Sequence, residues 1–403
     1  MHVVVCTVVH HPADARIFYR EIQALLDAGH DVTYIAPRGE PAAQPALPAR
    51  AAGGTAGDSA DSAGEARGAA RTGTLTRVPI PRASGRRRLG ALRAARSALA
   101  GQAPGADLLL VHDPELLLVL PAKRKRPPTV WDVHEDTAAA LTTKAWLPTW
   151  IRPVAAAGVI SAEHLAERRL HLILAEHGYN DRFKSTHPVV PNTTYVPAEA
   201  APPGGAKRVV YVGHISPDRG SAEMTELGRL LKPHGIAVEL VGPADAAARA
   251  HIEAAGDAVN WHGFVPNADA MRLVDGALAG LSLLQDEANF RHSMPTKVAE
   301  YMARGVPVIS TPLPLAVKLV EAGESGFIVP FNAPAAAAEA ILKLDADPGL
   351  RVTMGARAHA YAQANLAWSP HAAAFVARLE AWAAAGRSAT LLTTDNTRSD
   401  ATR

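Results

Sequence analysis

Between Asn289 and Ser310 the chain carries a pattern whose chemistry can be read residue by residue. Pro295 suits the first position of a helix, where its missing N–H costs nothing. The amides of Thr296, Lys297 and Val298 then lack intrahelical partners and lie at the positive end of the helix dipole. Lys297 adds a full charge to this ready anion site. Glu300 follows three residues on, one turn down the same face and roughly 5 Å further along the axis. A phosphate at the helix tip with a carboxylate one turn below fits a nucleotide. Amides and lysine would hold the phosphate, and the carboxylate would accept hydrogen bonds from ribose hydroxyls. The plainer reading of the same spacing is a capped amphipathic helix on a parallel sheet, with Glu300 in solvent.

The elements around this stretch are those of α/β architecture. Ala279–Leu284 ahead of it and Val306–Thr311 behind it are apolar runs of strand length. At the other end of the chain, Val3–Val9 reads as a parallel strand buried on both faces. Asp14 can cap a helix over 15–28, whose apolar stripe is Ile17, Phe18, Ile22, Leu25 and Leu26, and Asp31–Ala36 is the next strand. Such a unit predicts a right-handed crossover in a doubly wound sheet, with ligands entering at the carboxyl ends of the strands. The loop His10–Arg16 lies at that edge, and the usual Gly-x-Gly-x-x-Gly dinucleotide fingerprint is absent from it. Asp107–Val111 and Pro128–Val133 read as further strands, each followed at once by polar residues: His112-Asp113-Pro114-Glu115 and His134-Glu135-Asp136. Most single histidines in such places are ordinary core or surface groups, but His134 has two carboxylates beside it.

Strand–helix units begin again at Lys207: Val209–Gly213, Val238–Val241 ending in Gly242-Pro243, Val259–His262 followed by Gly263-Phe264-Val265-Pro266, and Gly326–Pro330. The Pro/Gly/Ala segment 197–205 is a linker, so two doubly wound, Rossmann-like domains facing across a cleft are expected, over 1–200 and 206–366. Within the first, 39–73 is Ala, Gly, Pro, Ser and Asp with little to bury, and reads as a disordered insertion. A last helix follows Pro370, and 387–403 reads as a polar disordered tail.

Composition narrows the function classes. Lys and Arg number 41 against 39 Asp and Glu in 403 residues, so no general attraction to nucleic acid follows. The one cysteine, Cys6, sits in an apolar run, and a disulfide framework is excluded. No apolar run reaches the roughly 18 residues of a membrane span, and the N-terminus does not resemble an export signal; a cytoplasmic protein is expected. Arg82, Arg86, Arg87, Arg88, Arg93 and Arg96 stud a short helix, and Lys123–Arg126 form a second basic cluster. Both admit two readings: solvated surface, or contact with an acidic acceptor or with an anionic membrane, peripherally at its inner face. Asp345 and Asp347 have the spacing of an acidic metal pair but read as a solvated loop.

Taken together, these residues resemble the GT-B fold glycosyltransferases, the large retaining group that uses nucleotide-sugar donors. The likeness rests on His-Pro-x-Asp-x-Arg-Ile-Phe-Tyr-Arg-Glu at 11–21, on Asp132–Asp136, on Tyr211-Val212-Gly213 with Arg219-Gly220, and on the stretch 292–300 at the place of the group's Glu-x(7)-Glu motif. Its fifth part is the final helix, 367–386, which would cross back to the first domain. His292 stands where the motif has its first Glu, and His214 where the diphosphate turn has Arg; Arg219 replaces a Lys and keeps its charge. The resemblance implies transfer of a hexosyl group from a nucleoside diphosphate sugar to an acceptor hydroxyl, with retention. Arg219 and Lys297 would stabilise the departing diphosphate, and His134 would face the donor sugar. Gly213, His214, Gly242, Phe264, Val265, His292, Ser293, Met294, Pro295, Thr296 and Glu300 would line the donor site, and His11, Asp14 and Arg16 the acceptor side. The acceptor would be a sugar or a lipid-linked glycan. No cofactor and no obligatory metal are expected. A sugar-nucleotide epimerase of the same fold and a catalytically inactive sugar-nucleotide-binding protein are the competing readings.

Overall fold

The unbroken run at the N-terminus becomes β1 (His2–Cys6), with Val3, Val4, Val5 and Cys6 fully buried between two parallel neighbours. The computed structural model describes residues 1–39, 72–135, 150–202, 204, 207–291 and 293–399, and of 268, 289 and 387–399 the backbone alone. The insertion read at 39–73, apart from its ends, lies outside them, as does His292.

The first sheet contains β1, β2 (Asp31–Pro37), β3 (Leu75–Ile80), β4 (Leu108–Val111), β5 (Thr129–Val133) and β6 (His171–Leu174), all parallel, in the order β3-β2-β1-β4-β5-β6. The second contains β7 (Arg208–Val212), β8 (Ala237–Val241), β9 (Asn260–Gly263), β10 (Ala279–Ser282), β11 (Val308–Ser310) and β12 (Gly326–Ile328), also all parallel, in the order β12-β11-β10-β7-β8-β9. Strand order reverses between β1 and β4 in one sheet and between β7 and β10 in the other. Those two switch points open crevices at the strands' carboxyl ends, and the crevices face each other.

Two local departures from the sequence reading have physical causes. The helix expected over 15–28 starts as π-helix over Ile17–Ile22 and becomes α-helix only at Gln23–Asp27. Asp14 caps it through Oδ1, which accepts from the amides of Arg16 (2.8 Å) and Ile17 (3.0 Å). The wider turn brings Arg16, Arg20 and Glu21 to the interior together with Ile17 and Ile22. Polar groups, not the apolar stripe alone, set its register.

The second departure is at the C-terminus. One helix runs over Trp368–Ser399, so the backbone of 387–399 is helical and not the disordered tail expected there. Gly386 does not stop it: a Cβ at this position would meet Pro128 Cγ at 2.1 Å, so the glycine serves close packing on the first lobe. Trp368, Phe375, Val376, Leu379 and Ala383 are buried in one cluster with Val3, Val5, Leu108, Leu110 and Ile173. Each large apolar side chain in such a face contributes on the order of 1.5–3 kcal/mol, enough to hold the helix across the lobe boundary. Beside it the chain crosses back through Thr194, whose amide donates to Leu366 O (2.9 Å) and whose carbonyl accepts from Trp368 N (2.8 Å).

Candidate active site

The second lobe builds its crevice from glycines that let backbone and lysine approach closely. Gly213, just past β7, has φ 134°; a Cβ there would lie 2.7 Å from Lys297 Cε and 3.1 Å from its Nζ. Gly242, past β8, has φ 141°, and a Cβ would strike the Gly213 carbonyl at 2.0 Å. Both conformations suit glycine alone. Lys297 Nζ therefore sits at the end of β7, 5.1 Å from the centre of the Tyr211 ring. Arg219 enters from the turn after β7, with its guanidinium 5.6 Å from the Phe290 ring and its charge felt at the Tyr211 hydroxyl. That hydroxyl donates in turn to His214 O at 2.6 Å. Among the described residues neither cation has a carboxylate within 4 Å. Burial, with the charge of Arg219, brings the Lys297 ammonium down to about 7. Burial and the Arg219 charge also lower His214, which stays neutral at pH 7.

The helix Thr296–Ala303 begins with Pro295 as its N-cap, at φ −77° and ψ 79°. The expected trio of open amides is reduced by one, because Thr296 N donates to Met294 O at 2.9 Å. One residue earlier, Met294 N donates to Glu176 Oε1 of the first lobe at 2.7 Å. Burial raises the Glu176 carboxyl. Glu300 sits one turn into the helix, and burial raises its carboxyl against the pull of Arg20 and Lys297. Arg20 Nη2, from the first lobe, is 3.9 Å from Glu300 Oε1. Ser293 is exposed at the mouth. Phe264, 57% exposed, and the half-buried Val265 lie on the loop after β9; the Phe264 ring is 5.2 Å from His11 across the cleft.

The first lobe's crevice is a closed polar network. Arg16 grips Asp132 with Nε (2.8 Å) and Nη2 (2.6 Å), and its Nη1 donates to Val190 O (2.9 Å) and Asn192 Oδ1 (3.0 Å). It is 4% exposed, so it positions Asp132 and does not face the cleft. Although burial opposes ionisation, the Arg16 charge and hydrogen bonds hold Asp132 well below the usual carboxylate range. Asp132 Oδ2 fixes His134 through Nδ1 at 3.0 Å. His134 Nε2 faces His10 Nε2 at 3.1 Å, and His10 Nδ1 meets Asp113 Oδ1 at 2.8 Å. Burial depresses His10, but hydrogen bonds to Asp113 and Glu135 outweigh it and raise the imidazolium to about 11. Asp14 is tied up as the helix cap, and burial with the nearby Arg82 charge lowers His11.

His10, Asp113, Arg20 and Glu176 were absent from the sequence-derived site. Asp113 and Glu176 each stand just past a strand end, the signal that singled out His134. Arg20 belongs to the 11–21 pattern but was assigned no role.

Residues 196–361 match the model of a family described as glycosyl transferases group 1. Over that span the second lobe resembles the group 1 glycosyltransferases. The whole two-lobed fold is that of the GT-B glycosyltransferases. Sucrose-phosphate synthase from Thermosynechococcus elongatus superposes with TM-score 0.65 at 19% identity, over 95% of this chain and 99% of its own. HepE from Anabaena, solved with UDP-glucose, gives TM-score 0.64 at 14% identity over 94% and 100%. WaaG, a glycosyltransferase involved in lipopolysaccharide biosynthesis, gives 0.62 at 15% over 93% and 98%. In sequence, the chain is 30% identical over 138 residues to WcaL of Salmonella typhimurium, a glycosyltransferase named for colanic acid biosynthesis. It is 29% identical over 175 residues to WcaL of Escherichia coli. These matches cover 32% and 41% of this chain, and 34% and 43% of the two relatives' lengths.

Proposed function

We propose that this glycosyltransferase-fold chain transfers a hexosyl group from a nucleoside diphosphate sugar to an acceptor hydroxyl, with retention of anomeric configuration. The observation that carries the reading is Lys297 and Arg219 at the second lobe's mouth without carboxylate partners, with Glu300 one turn below. Positive charge left uncompensated in a cleft is costly unless an anion takes it up. A diphosphate would do so through Lys297, Arg219 and the open amides of Lys297 and Val298. Glu300 would hold ribose, exchanging its 3.9 Å contact with Arg20 for hydroxyl donors. The loops carrying Gly242 and Phe264-Val265 would flank the base.

Chemistry then needs only stabilisation of the leaving charge. The bond from the anomeric carbon to the phosphate oxygen breaks and charge grows on the diphosphate. The acceptor hydroxyl forms its new bond on the same face and gives its proton to the departing phosphate oxygen. His10 is an imidazolium at neutral pH and so is no general base. His134, held by Asp132, would orient the donor sugar. Transfer is proposed to proceed without an obligatory metal. The names of the WcaL and WaaG relatives favour an envelope polysaccharide or glycolipid acceptor. The exposed Arg86, Arg87 and Leu89 favour docking at the inner face of a membrane. HepE, crystallised with UDP-glucose, makes UDP the first nucleotide to try.

The experiment is a thermal-shift screen against UDP, GDP and ADP and their sugars, followed by product analysis with the best donor and candidate glycan acceptors. One nucleotide standing out, with glycoside formed only when acceptor is present, is the expected result. No shift with any nucleotide and no turnover would overturn the reading.

A further inference from the structure

At the carboxyl ends of β1 and β5 two imidazole nitrogens face each other. His10 Nε2 and His134 Nε2 are 3.1 Å apart, and Glu135 Oε1 is 3.5 Å from His10 Nε2. The two rings are backed in the same way, His10 Nδ1 by Asp113 Oδ1 at 2.8 Å and His134 Nδ1 by Asp132 Oδ2 at 3.0 Å. Both carboxylates are themselves fixed. Asp113 Oδ2 accepts from the Thr7 hydroxyl at 2.8 Å and from the Val9 amide at 3.2 Å, and Asp132 is clamped by Arg16. A ring that donates its Nδ1–H to a carboxylate turns the Nε2 lone pair the other way, which is how metal-binding histidines are oriented. Two such lone pairs at this distance need a cation between them. In the protein alone that cation is a proton; the same frame accepts a metal ion.

We propose that His10 Nε2, His134 Nε2 and Glu135 Oε1 form a three-ligand site for a divalent transition metal of the zinc class, with solvent in the fourth position. An ion about 2.05 Å from each atom would subtend about 98° between the two nitrogens and about 117° between His10 Nε2 and Glu135 Oε1, both close to tetrahedral. The imidazoles select a zinc-class ion over magnesium or calcium, which take oxygen ligands. Glu135, 63% exposed, gives the ion an approach from solvent. A second grouping, His112, Asp132 and His134, is a poorer site because Asp132 is already neutralised by the Arg16 guanidinium. The sequence showed no ligand set because His10 and His134 are 124 residues apart and neither lies in a recognisable ligand spacing. If His134 meets the donor sugar as proposed above, metal occupancy opposes transfer, but binding itself does not depend on that reading.

The test titrates Co²⁺ into the full chain, purified without a polyhistidine tag and stripped of metal, following the visible absorption of tetrahedral cobalt and the bound metal after gel filtration. The unaltered protein is expected to take up one equivalent with a tetrahedral spectrum, in competition with Zn²⁺. Glu135→Gln, at an exposed position, should weaken binding at least tenfold and His10→Ala should abolish it, with the circular dichroism spectrum of each variant unchanged. Absence of saturable binding by the unaltered protein would overturn the proposal, as would cobalt uptake by a folded Glu135→Gln variant equal to that of the original.

Discussion

At the end of β5, Arg16 makes four hydrogen bonds to three partners and is buried from the cleft. At the end of β7, Lys297 is walled by a glycine and an aromatic ring and has no carboxylate within 4 Å among the described residues. Both are cations at the carboxyl edge of a parallel sheet, yet one is a structural clamp and the other is charge held in reserve. The difference lies in what each crevice is built to do with an anion. The first lobe supplies its own carboxylates, Asp113 and Asp132, and closes on them. The second presents lysine, arginine and helix amides, and in the proposed reading its anion is the bound diphosphate.

The largest effect should come from opening the closed side. Arg16→Ala leaves Asp132 buried without its guanidinium partner and should cost about 3–5 kcal/mol in urea unfolding. A loss below about 1 kcal/mol would mean that the network is not the clamp described. On the open side, Lys297→Ala should lower turnover by about 10²–10³ and change donor affinity far less, because leaving-group charge develops in the transition state. Steady-state kinetics at saturating donor separates the two effects, and equal small changes in both would break the contrast.

A pH series sharpens it further. Lys297 is brought from an ordinary value of about 10.4 to about 7 in the free protein. Its cationic form, the one that attracts diphosphate, therefore prevails below that pH and is lost above it. Affinity for a nucleoside diphosphate should fall about tenfold from about pH 6.5 to about pH 8.5 by calorimetry, and Lys297→Arg should flatten the profile. The smallest effect belongs to Glu300→Ala, which should weaken donor binding about five- to tenfold, roughly the net worth of a single hydrogen bond. Unchanged affinity in an equilibrium titration would remove Glu300 from the ribose site.

Much of this contrast could be read before the fold was known. Alternating apolar strands and periodic helices specified two parallel doubly wound sheets, and the Pro295–Glu300 spacing marked the open crevice. Polar residues just past strand ends pointed at His134. What stayed hidden depends on long-range placement. Nothing local says that Arg16 turns inward, that Arg20 reaches Glu300, or that Glu176 caps the Met294 amide from the other lobe. Gly386 misled for the same reason: its packing against Pro128 lies far away in sequence.

The most direct measurement is a crystal structure of the complex with the nucleoside diphosphate that binds best. The account places its two phosphates within hydrogen-bonding distance of Lys297 Nζ, Arg219 and the first free amides of the 296–303 helix, with ribose hydroxyls on Glu300. A diphosphate lodged among the first lobe's histidines, with Lys297 untouched, would contradict it.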